Sequence, residues 1–92
     1  MNNELITKLF YYHAKQYNLE IHSIDFGNGV YPYHAQDSTI MMVDLIKTHH
    51  ISEVDKIMEI FIFRYMNDIH ISWNLTQIDE YYHLTIEYKS DE

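Results

Sequence analysis

The chain has no cysteine, so it can form neither a disulfide nor a thiolate zinc site. That fits a reducing compartment, and a cytoplasmic location is the expectation. It has one proline and two glycines, and all three lie in a single window, Gly27-Asn28-Gly29-Val30-Tyr31-Pro32. Cations are scarce: six Lys plus Arg stand against fourteen Asp plus Glu, a formal net charge of −8. Binding to a bare phosphate backbone takes clustered cations, so direct nucleic-acid binding is not expected. No stretch approaches the ~18 apolar residues of a membrane span. The opening MNNELITKLF has no charged segment, long apolar run or small-residue cleavage site, so no secretory leader is expected.

What is present is enough for one folded domain. The 92 residues are 47% hydrophobic, which predicts a single domain over 1–92 with one modest core. No repeat, low-complexity tract or linker interrupts it. The composition leans to Ile, Asn and Tyr, whose codons are AT-rich. Lys codons are AT-rich too, yet Lys is rare, so codon drift does not explain the acidity.

Periodicity gives the elements. Residues 3–17 read as an amphipathic helix: Leu5, Leu9 and Tyr12 recur at helical spacing with Ile6, Phe10, His13 and Tyr17 beside them. Asn18 suits the left-handed position that ends a helix. Residues 19–26 and 30–35 read as two strands of a hairpin around Gly27-Asn28, with Pro32 on a sheet edge. Residues 38–49 read as a helix, although Thr39, Met41, Val43 and Leu45 also alternate. Residues 56–66 fit a helix opened by Ser52 and Asp55. That helix is apolar almost all round, so the strand reading is preferred, with Asn67-Asp68 turning into 69–76. Ile71, Trp73 and Leu75 alternate, as do Tyr82, Leu84 and Ile86, which predicts a final hairpin with a loop over 77–80. The expected fold is α+β: two helices on one face of a mainly antiparallel sheet of about five strands, in the order α-β-β-α-β-β-β.

No motif in the chain carries catalytic chemistry. There is no G-x-S-x-G, and the glycine window leads into Val, Tyr and Pro rather than a helix and a cation, so it is a turn and not a phosphate loop. The seven histidines include no H-x-x-x-H or H-E-x-x-H, so no metal site is expected; no cofactor is expected either. What remains is a surface of tyrosines and acids, the kind that meets basic proteins. The candidate contact residues are Asp25, Tyr31, Tyr33, Asp79 and Glu80 at loops, with Phe63 and Tyr65 on an aromatic face. The expected function is a non-catalytic inhibitor or antagonist of a basic protein, such as a nuclease or another nucleic-acid-binding enzyme. Phage and mobile-element anti-defence proteins and immunity proteins share this size and charge. One alternative is a homodimer or complex subunit. Another is a small-ligand sensor or minor enzyme using His70, His83 and Glu87.

Overall fold

A computed structural model describes residues 3–30, 37–48, 51–66 and 71–89. Helix α1 spans Asn3–Gln16. Its buried row is Ile6, Phe10, His13 and Ala14, whereas Leu5 and Tyr12 face outward. It stops where the sequence predicts: Asn18 takes φ 58°, the Asn18 amide donates to Lys15 O at 3.3 Å, and the Leu19 amide donates to Ala14 O at 2.9 Å. This is a Schellman ending, which satisfies carbonyls the helix would leave unpaired, and the buried Leu19 supplies its usual apolar contact.

Strand β1 (Ile21–Val30) and strand β2 (Asp37–Ile46) pair antiparallel from Val30↔Asp37 to Ile21↔Leu45. Two expectations are corrected here, and a third cannot be placed. The glycines do not form the turn; Gly27, Asn28 and Gly29 are paired strand residues, facing Ile40, Thr39 and Ser38. Residues 31–36, which include Tyr31, Pro32 and Tyr33, lie outside the described residues. Residues 38–46 are a strand, not a helix. Their alternation decides it: Met41, Val43 and Leu45 are buried while Ile40, Met42, Asp44 and Ile46 are only half-buried.

The chain then turns helical where a strand was expected. A 3-10 turn (Ile51–Glu53) leads into α2 (Val54–Ile60), which widens into π turns over Phe61–Met66. Val54, Ile57, Met58 and Phe61 are buried at helical spacing, and Asp55, Lys56 and Glu59 lie exposed. Read from residue 53, the segment is amphipathic and one face can be buried. The helical alternative is therefore the one that forms, but Glu53 is its N-cap and no side-chain hydrogen bond caps it, so it starts without a Ser52/Asp55 capping box. Strand β3 (Ser72–Ile78) and strand β4 (Tyr81–Lys89) form the last hairpin. Its loop is two residues rather than four, with Ile78↔Tyr81 closing it and Leu75 facing Leu84. Asp79 sits at φ 50°, a conformation Asp tolerates better than most residues.

The four strands form one antiparallel sheet in the order β1-β2-β4-β3. The class is the expected small α+β domain, with two helices and four strands, rather than about five, among the described residues. Register sorts the side chains. Ile24, Val43, Leu84 and Leu75 share a row, as do Phe26, Met41, Ile86 and Trp73. The helices pack on this inner face, and a single core joins Phe10, Phe61, Val43, Leu45, Leu84 and Ile86. The Phe10 and Phe61 rings meet at 5.5 Å between centroids. A β-bulge between Ile21 and Ser23 lets Ile21 and Ile24, three apart, both point inward; the extra residue turns His22 outward beside Ser23. Among the described residues, no helix is long and apolar enough to cross a membrane.

Candidate functional site

The outer face of the sheet holds the polar groups. Ser23, Asp44, His83 and Thr76 form one row across all four strands. The next row, Asp25-Met42-Thr85-Asn74, is set by the same pairing. In the first, His83 Nδ1 lies 2.6 Å from Asp44 Oδ1, and Ser23 Oγ donates to Asp44 Oδ2 at 3.3 Å. An ionised carboxylate only accepts, so the imidazole N–H and the hydroxyl both donate to Asp44. The order is therefore serine, aspartate, histidine. A nucleophilic serine needs its hydroxyl on the imidazole; here the carboxylate stands between them, so the row is a cross-strand tie and not a triad.

A second tie lies further along β2. Ser38 Oγ donates to Glu87 Oε2 at 2.5 Å, and Ser38 is buried. This pair explains one of the glycines. A Cβ on Gly29 would come within 2.8 Å of Ser38 Oγ and 2.9 Å of Glu87 Oε2, whereas one on Gly27 meets only Met42 Cε at 3.6 Å. Gly29 is thus held by close approach, not by a turn. At the other end, the His22 and Tyr81 rings stack at 4.6 Å and 29°. Ile40, Met42 and Ile46 lie half-buried between the polar groups. Asp25 is exposed on this face, and Asp79 and Glu80 are exposed in the β3–β4 turn at its end.

The sequence-predicted residues are therefore only partly brought together. Asp25 shares the outer face with Asp44 and Glu87, and Asp79 and Glu80 border it. Phe63 and Tyr65 belong to the helical stretch after α2, not to the sheet, so no aromatic sheet face of Phe61, Phe63 and Tyr65 exists; the Phe63 and Tyr65 side chains lie outside the described residues. Phe61 is in the core. His70 also lies outside the described residues. His83 and Glu87 are four residues apart on β4, roughly 13 Å at strand rise, and do not converge. Among the described residues no group of three His, Asp or Glu is placed to hold a metal. Asp44, Ser23 and Ser38 were missed because residues 38–49 read as a helix, which detaches Asp44 from His83; the alternation of 39–45 was the signal that pointed to them.

A separate open groove of about 610 Å³ runs beside the end of α1, lined by Tyr11, Tyr12, Lys15, Leu19 and Ile21. Compared with protein-family models, with curated proteins and with solved structures, the chain matches none.

Proposed function

We propose that the chain is a non-catalytic binding protein that docks the outer face of its sheet on a basic protein, such as a nuclease or another nucleic-acid-binding enzyme, and blocks it. The observation that carries this reading is one-sided packing. The two helices bury one face of the sheet, and among the described residues no element covers the other, which presents Asp25, Asp44 and Glu87 around half-buried Ile40, Met42 and Ile46. At strand spacing the face measures about 30 by 19 Å, a size suited to one side of a standard interface of about 800 Å² per partner. A net charge of −8 steers it toward a positive surface. The hydrogen-bonded carboxylates of Asp44 and Glu87 are held in place, so little ordering is needed on binding.

The test is retention from a lysate of the source cell on immobilised protein, with an Asp25→Lys/Asp79→Asn/Glu80→Lys variant beside it. All three positions are exposed, and Asn suits the left-handed backbone at 79, so the fold tolerates the change. A basic partner should bind the wild type at low salt, weaken steeply as salt rises, and bind the variant about tenfold or more weakly. Salt-independent retention, or equal retention by the variant, would refute the reading.

A further inference from the structure

The sheet has two edges, and they are built differently. β1 is a blunted edge: it carries the bulge at its start, the exposed Asp25 in its middle and two glycines near its end. Bulges and charges are what keep edge strands from pairing with other chains. β3 has none of these. Its sequence, SWNLTQI, contains no charge, proline or glycine in a chain where 22% of residues are charged. Among the described residues it pairs with β4 on one side only. No β3 residue is fully buried, and Trp73 (36% exposed) and Leu75 lie at the inner face's margin.

We propose that β3 pairs with β3 of a second copy of this chain, antiparallel and centred on Leu75, making one eight-stranded sheet. The backbone sets the register. A two-residue loop closes on a hydrogen-bonded pair, here Ile78–Tyr81, and such pairs alternate along an antiparallel ladder. Residues 72, 74, 76 and 78 thus turn their N–H and C=O groups to β4, while Trp73, Leu75 and Gln77 turn theirs to the open side. A two-fold axis at Leu75 matches Leu75 with Leu75 and Trp73 with Gln77 of the other copy, satisfying all three residues twice over. Side chains agree: apolar Leu75 meets its own copy beside Trp73 on the inner face, and Asn74 meets Thr76 on the outer. Charge selects a second copy over other occupants. Two molecules of charge −8 repel except where they carry no charge, and β3 is such a stretch; a basic partner gains nothing there. The antiparallel arrangement also sends the two Asp79-Glu80 turns to opposite ends of the seam. This inference does not depend on what the outer face binds.

Sedimentation velocity over a dilution series tests it, with circular dichroism on each variant to verify folding. The wild type should reach a dimer of the 11.2 kDa chain. Gln77→Pro removes an N–H that only the second copy uses, and proline is tolerated on such an edge; it should weaken dimerisation about 30-fold or more, while Gln77→Ala should not. Asn74→Glu/Thr76→Glu places four carboxylates at the seam and should give monomer. Mixing it with Asn74→Lys/Thr76→Lys should restore a mixed dimer. A wild type that stays monomeric at the highest concentration overturns the proposal. So does a dimer that both the folded Gln77→Pro and the double-Glu variant leave intact.

Discussion

The inner and outer faces of the sheet are made by the same four strands, residue by alternate residue, yet they answer to different physics. On the inner face Met41, Val43, Leu45, Leu84 and Ile86 are fully buried and held by packing against two helices. On the outer face the cohesion is lateral: His83 to Asp44, Ser23 to Asp44, Ser38 to Glu87. An antiparallel sheet commonly buries one face and solvates the other. Here the solvated face is ordered by its own cross-strand ties rather than left as free side chains, and that is why it is a candidate surface for recognition.

The largest effect should fall on the inner face. Phe10→Ala empties a position fully buried against Phe61 and should cost about 3–5 kcal/mol, a large share of the about 5–15 kcal/mol that holds a domain. Met42→Ala, its counterpart outside, should cost about 1 kcal/mol, because the side chain is only half-buried. Urea denaturation measures both. Equal costs would break the comparison, since they would mean that the outer face is covered in solution.

The glycines give the next contrast. Gly29→Ala forces Ser38 Oγ and Glu87 Oε2 apart and should cost about 1–3 kcal/mol. Gly27→Ala meets ordinary contact at 3.6 Å. Neither glycine has positive φ, so Gly27→Ala should stabilise by up to about 1 kcal/mol through the unfolded chain. If both cost the same, the Ser38–Glu87 tie does not occupy the space assigned to it. A smaller Gly29→Ala cost in a Ser38→Ala background would place the penalty on that hydroxyl.

These contrasts also show what was legible in the chain. The first helix and its Asn18 ending could be read because local spacing and one left-handed residue suffice. The last hairpin was legible because apolar and polar residues alternate on both strands; its pairing slipped by two residues, a shift that leaves every side chain on the same face. The middle of the chain was not legible, and two elements exchanged identities. Residues 38–46 carry both periods, and only burial against the helices shows which one is used. Residues 56–66 taken alone are too apolar for an amphipathic helix; Glu53 and Asp55 supply the polar face. The class survived because one helix and one strand were swapped. The site did not survive as well: Asp44 joins Ser23 to His83 only if its segment is a strand, and Gly29 earns its place through a residue nine positions away. Contacts of that kind depend on tertiary register, which no local pattern carries.

The most conditional effect belongs to the rim of the inner face and appears only at high pH. Tyr88 is 6% exposed, and burial pushes its hydroxyl up to about 12 from an ordinary 10. Its Oη donates to Asn3 Oδ1 at 3.4 Å, tying β4 to the start of α1. The folded state holds the proton more tightly than the unfolded chain, so this contribution is complete below pH 10 and is lost as pH rises through 10 toward 12. At pH 11 the loss should be about 1 kcal/mol. Tyr88→Phe keeps the buried ring and removes the ionisable group. Urea midpoints of wild type and Tyr88→Phe should therefore run parallel from pH 7 to 9.5 and diverge above it, the wild type falling faster. Parallel curves to pH 11.5 would show that the hydroxyl reaches water in the folded state, and that the inner face is less closed at β4 than its packing implies.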